Sequence, residues 1–256
     1  MPDIVVHNAM GDIVLSKLDT EIVEVIDCNI FRFALMGPDV YMYYRFFAMP
    51  FRRGINSRSK IMHTSRVNEF LMALATRSQS RETFSFLAGF LSHYALDSIT
   101  HPLICELAGN RSGMHTAIER RLDVIELERQ GKQPKDILGL LAKCPDIPEI
   151  RDVIRDVYGW DDNHYLTATR HMHMYYWIAK DQNGILNSLL HKLPGKLASV
   201  SYRATMADDV DPRRFVTLEA EAVEKGCELV KAAFGYRNGR ISAAQLREII
   251  GNRSYL

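Results

Sequence analysis

His93, Asp97 and His101 follow one another at four-residue intervals, and His115, Glu119 and Asp123 repeat that interval shortly afterwards. On an α-helix, residues four apart share a face and lie about 6 Å apart along the axis. Imidazole and carboxylate are the side chains that hold zinc and its neighbours. A row of them at helical spacing makes a good metal cage and a poor surface. A short connection at residues 109–113, containing Gly, Asn and Ser, joins the two rows.

The surroundings of the first row strengthen that chemistry. Residues 83–100 are apolar nearly all round, with Phe84, Phe86, Leu87, Phe90, Leu91, Tyr94, Ala95, Leu96 and Ile99. Such a helix belongs in a core. His93 and Asp97 share its face with Phe86 and Gly89, so both are expected to be buried. A buried carboxylate is costly unless it is paired or bound to a metal. A lone histidine is more often a hydrogen-bonded core residue, but His115 and Glu119 repeat the pattern. Asp123 extends the row as an exposed carboxylate or as one that orients a ligand.

Geometry limits what one ion can do. His93 and His101 would lie about 12 Å apart along an unbroken helix, too far to share an ion with bonds of about 2.0–2.2 Å. Asp97 lies between them with two oxygens and can bridge. Pro102 predicts the end of the helix near His101, which would let His101 swing toward a separate ion. Two ions, or three, fit better than one.

The positioning elements are predicted to be helices throughout. Apolar residues recur at three and four over 9–19, 21–36, 60–75, 82–100 and 114–130, and again over 148–157, 161–180, 186–197, 216–234 and 243–250. No stretch alternates well enough to predict a strand. Gly37-Pro38, Pro50, Gly54, Gly131, Cys144-Pro145 and Pro194-Gly195 mark turns. The expectation is one all-α domain spanning 1–256, a multi-helix bundle with the metal site in its core. The ligand-type residues fall in 1–125, so 126–256 should complete the bundle and shape the pocket.

Bulk properties narrow the function. The 256 residues are 47% apolar and 25% charged with a net charge of +1, which is ordinary for a globular chain and does not favour nucleic acid as the main partner. Cys28, Cys105, Cys144 and Cys227 form no CxxC pair and read as reduced structural thiols. With no signal-peptide pattern and no apolar run of about 20 residues, the expected compartment is the cytoplasm. There is no Walker loop, no G-x-S-x-G elbow, no dinucleotide fingerprint and no adjacent His-Asp pair.

Upstream of the rows stand His7, which opens a Gly11-containing helix, Asp39 in a turn able to cap the next segment, and His63 at the expected start of the 60–75 helix. Spacing alone does not select them. Their order does. His7, Gly-Pro-Asp39, Met-His63, Ser-His93-Tyr-Ala-Leu-Asp97-Ser, His101-Pro and His115-x-x-x-Glu119 resemble the zinc-dependent phospholipase C family, related to the single-strand-specific zinc nucleases. The resemblance spans about residues 4–125 in ordered motifs.

It implies two or three zinc ions. Asp39, His63, His93 and Asp97 would hold one, Asp97 and His7 a second, and His101, His115 and Glu119 another. It also implies attack of a metal-activated water on a phosphodiester, with Asp39 orienting or deprotonating that water. Secreted members complete the site beside the first histidine with a terminal tryptophan. Here the first tryptophan is Trp160, and the gap between Asp97 and His101 is shorter than in those enzymes.

The expected substrate is a phospholipid or a small phosphoester, with peripheral membrane contact. Between Asp39 and Glu69 no acidic residue occurs, while Arg45, Arg52, Arg53, Arg58, Lys60 and Arg66 supply positive charge among Tyr41, Tyr43, Tyr44, Phe46, Phe47 and Phe51. Tyr43, Arg45 and Arg66 are the candidate substrate contacts from this stretch. The other reading is core aromatics followed by a solvated loop. His164, His171, His173, Tyr175, Tyr176 and Trp177 form a second cluster, read as packing or as an aromatic cage for a quaternary ammonium. Two rival functions remain: the same chemistry on a soluble phosphoester or nucleotide, and a metal-stabilised helical binding module without turnover.

Overall fold

The computed structural model describes residues 4–47, 54–111, 113–160, 164–179 and 210–251. Every regular element among them is helical. Helix α1 (Ile4–Lys17) leads through the short α2 (Thr20–Val23) to α3 (Cys28–Ala34) and a 3₁₀ segment (Gly37–Tyr43). Next come α4 (Ser57–Thr64), α5 (Val67–Arg77), α6 (Arg81–Ala108) and α7 (Met114–Arg129). A second 3₁₀ segment (Pro134–Leu140), α8 (Pro148–Tyr158), α9 (His164–Ala179), α10 (Arg213–Arg237) and α11 (Ala243–Ile250) follow. The predicted helix at 186–197 lies outside the described residues.

Helix α6 is the spine. Its 28 residues extend about 42 Å, starting where Ser80 Oγ accepts the Thr83 N–H at 3.1 Å. Every residue from Thr83 to Asp97 is buried, as expected of a segment apolar all round. Helices α1, α3, α5, α7 and α10 pack against it, and α9 packs on the first 3₁₀ segment. Gly89 allows α3 to come close: a Cβ there would lie 2.2 Å from the Phe31 carbonyl oxygen.

Three predicted boundaries are corrected. Helix α6 does not end at His101 but runs through Pro102 to Ala108. Proline removes one backbone bond, the one its N–H would make to Ser98, and packing along α6 outweighs that loss. The helix predicted over 21–36 breaks after Val23. Asp27 then caps a new one, accepting the N–H groups of Asn29 and Ile30 at 2.9 and 3.1 Å. The helix predicted over 60–75 breaks at Ser65–Arg66, where Arg66 adopts φ +58°. His63 therefore ends α4 rather than opening a longer helix. Asp39, expected as a cap, lies inside the 3₁₀ segment, where Met36 holds the cap position.

Candidate metal centre

Helix α6 presents His93, Asp97 and His101 on one face, all buried. Asp97 stands between the two histidines. Its Oδ2 lies 3.1 Å from His93 Nε2, and its Oδ1 lies 3.7 Å from His101 Nδ1. His7 of α1 approaches Oδ1 at 3.5 Å. His63 of α4 approaches Oδ2 at 3.2 Å and Asp39 Oδ1 at 3.3 Å. On α7, His115 Nε2 and Glu119 Oε1 are 2.8 Å apart, and His101 Nε2 lies 4.0 Å from the same oxygen.

Donor atoms of His7, Asp39, His93 and Asp97 lie within 4.8 Å of one another, as do those of His101, His115 and Glu119. Seven of the eight expected ligands therefore fall in two adjoining groups. Asp97 stands where the groups meet, and His63 lies between Asp39 and Asp97.

The donor set fits zinc. Two ligands on one tetrahedral zinc lie about 3.4 Å apart, the separation found around Asp97. Both ring nitrogens of His7 and Oδ1 of Asp97 are buried with no hydrogen-bond partner among the described residues. Buried polar atoms left in that state are costly, and a cation among them removes the cost.

The charge states of three of the histidines agree with metal binding. Burial, helped by His93, lowers His7 to about 4. Burial also lowers His101 to about 2 and His115 to about 4. All three are neutral near pH 7, the form that binds metal. Burial opposes ionisation of Asp97, yet His93 and His101 outweigh it and hold that carboxyl well below the usual range. Burial likewise disfavours a charged His93, but Asp97 prevails and raises it. Asp39 goes the other way, pushed by burial to about 6.

Local structure fixes the ligand orientations. His93 Nδ1 sits 3.0 Å from the Leu35 carbonyl oxygen. Donation there leaves Nε2 facing Asp97. His63 uses the carbonyl of Ser59, one turn back, in the same way at 2.6 Å, while Ser59 Oγ donates to Asp39 Oδ1 at 3.2 Å. Gly37 is required beside this pair, because its φ is +47° and a Cβ would fall 2.4 Å from His93 Cδ2.

Asp123 is fully buried. Its two oxygens accept the backbone N–H groups of Val5 and Val6, each at 3.1 Å. These are first-turn amides of α1 that have no partner within the helix. The carboxylate at the end of the second row thus anchors the helix that carries His7.

A cavity of about 240 Å³ reaches His63, His101, His115 and Glu119. Among the described residues Met42, Asn56, Ser59, Lys60 and Thr116 also line it. Tyr43, Arg45 and Arg66 do not line it. Tyr43 pairs its hydroxyl with that of Tyr176 at 2.8 Å. Arg45 donates its backbone N–H to His171 Nδ1 at 3.0 Å. Arg66 binds Glu69 at 2.6 Å and the Val157 carbonyl. The α9 cluster packs against the aromatic stretch: Tyr44 contacts His164 and His171, and Phe47 contacts His171.

Sequence reasoning missed Ser59, Asn56 and Thr116 as wall residues. A signal existed. Asn56, Ser59, Lys60 and His63 fall at i, i+3, i+4 and i+7, one face of one helix.

The family model described as zinc dependent phospholipase C matches residues 7–183, more than half of the chain. No curated protein and no solved structure matches the chain.

Proposed function

Since the chain belongs to the zinc-dependent phospholipase C family, we propose that it hydrolyses phosphodiesters at a centre of two or three zinc ions arranged around Asp97. His7, Asp39, His63 and His93 would serve one side of Asp97, and His101, His115 and Glu119 the other. When bound, zinc acidifies water and stabilises charge on phosphoryl oxygens and leaving group.

The chain's own groups supply the rest. Asp39, whose Oδ1 accepts from Ser59 Oγ, would orient the attacking water or take its proton through an oxygen not used on the metal. The Leu35 and Ser59 carbonyls hold His93 and His63 in fixed orientations. The cavity admits a phosphodiester to the donors that line it, His63, His101, His115 and Glu119.

The observation that carries this reading is the pair of adjoining donor groups with Asp97 between them. The test is elemental analysis of the purified protein together with turnover of phospholipid micelles, before and after chelation. Stoichiometric zinc and chelator-sensitive release of the phosphorylated headgroup are expected. Absence of bound metal, or turnover untouched by Asp97→Asn, would overturn it.

A further inference from the structure

Resting on the phosphodiesterase reading, we propose that the cavity selects phosphodiesters with a hydroxylated, uncharged headgroup and disfavours a quaternary ammonium, with Lys60 as the selecting residue. Recognition of a quaternary ammonium needs aromatic faces or a free carboxylate. Among the described residues the cavity offers neither. No described Phe, Tyr or Trp lines it, and of its imidazoles His101 and His115 belong to the second donor group while His63 lies beside Asp39 and Asp97. The one carboxylate among its described lining residues, Glu119, lies 2.8 Å from His115 within the second donor group. The aromatic residues of α9 engage the stretch around Tyr43, Tyr44 and Phe47 and are absent from the cavity wall.

What the wall does offer is a cation and hydrogen-bonding groups. Lys60 is exposed and makes no ion pair among the described residues. Lys60 lines the same cavity as His63, His101, His115 and Glu119, so a cationic headgroup would meet repulsion from it. A headgroup of hydroxyls leaves the substrate with the net negative charge of its phosphate, which Lys60 favours.

Asn56 also lines the cavity. Its amide nitrogen donates to the carbonyls of Tyr41, Met42 and Tyr44 at 3.2, 2.7 and 3.1 Å, which fixes the orientation of the amide and ties this wall to the 3₁₀ segment. The Thr116 side chain lines the same wall, and its hydroxyl can donate or accept. Met42 supplies apolar contact.

The test compares two short-chain lipids, phosphatidylglycerol and phosphatidylcholine, as substrates of the zinc-loaded full chain. Binding of glycerol 1-phosphate and phosphocholine by calorimetry runs in parallel. Preference for the glycerol form is expected in both measurements. Lys60→Ala should shrink the kcat/KM ratio by about fivefold and Lys60→Glu by about twenty-five-fold, because an exposed charge contributes a modest amount and its reversal about twice that in free energy. Zinc content and the circular dichroism spectrum should remain those of the parent.

Equal or tighter binding of phosphocholine, binding of neither compound, or a ratio unmoved by Lys60→Glu would overturn the proposal. Failure to turn over either lipid, with glycerol 1-phosphate still preferred in a Lys60-dependent way, would sink the phosphodiesterase reading and uphold the headgroup selection.

Discussion

Asp97 is the residue on which the site turns, because each of its oxygens faces two different histidines. Asp97→Asn keeps the shape, removes the charge and leaves an amide that cannot serve both sides. Metal content should fall below half of the parent value, and turnover by about a thousandfold, read by elemental analysis and micelle hydrolysis. Asp123 acts at one remove, through the Val5 and Val6 amides. Asp123→Ala should cost about 1–2 kcal/mol in chemical denaturation, as loss of a helix cap does. It should also weaken zinc binding about tenfold or more, as loss of a group that orients a ligand does. Zinc binding unchanged in this variant would show that α1 holds His7 in place without the anchor. The His and Asp ligands could be read from the sequence because their types are rare in a core and their spacing is helical. The Leu35 carbonyl could not be read, since any residue has one and only the approach of α3 brings this one to His93.

That approach belongs to the elements. Gly89 lies one turn before His93 on α6, and its missing side chain lets α3 sit close enough for the Leu35 carbonyl to reach the imidazole. Gly89→Ala forces the two helices apart and should destabilise the fold by about 1–3 kcal/mol, the usual cost of overpacking. Denaturation of the parent and variant without metal would show it, with weaker zinc binding as the companion effect. An unchanged midpoint would mean that α3 yields without strain. Helix type was legible from apolar periodicity in nearly every described element, including α5, α7, α8 and α11. Helix ends were less so. Pro102 argues locally for a stop, and the neighbours packed along α6 override it. Arg66 carries no local sign of its left-handed backbone, and bonds to Glu69 and the Val157 carbonyl hold it there. These are tertiary effects, and a single helical window does not contain them.

At the scale of the whole molecule, four helices from distant parts of the chain, α1, α4, α6 and α7, together with the first 3₁₀ segment, meet at one centre. The second half of the described chain carries none of these ligands and instead braces the arrangement, α10 against α6 and α1, and α9 against the 3₁₀ segment. No helix among the described residues is long and apolar enough to cross a membrane. Because zinc would bind only the assembled donors, it should stabilise the fold by mass action, by about 2.7 kcal/mol for each site at a free concentration one hundred times its Kd. A thermal melt with and without chelator should display a lower Tm in the stripped protein. Coincident melts would contradict a centre that ties these helices together. The central claim, metal ions arranged around Asp97, is tested most directly by anomalous diffraction from crystals of the purified protein, recorded above and below the zinc edge. At least two zinc peaks are expected, one on the His7, His93 side of Asp97 and one on the His101, His115, Glu119 side. A single peak held by one group alone, or none in zinc-loaded crystals, would contradict it.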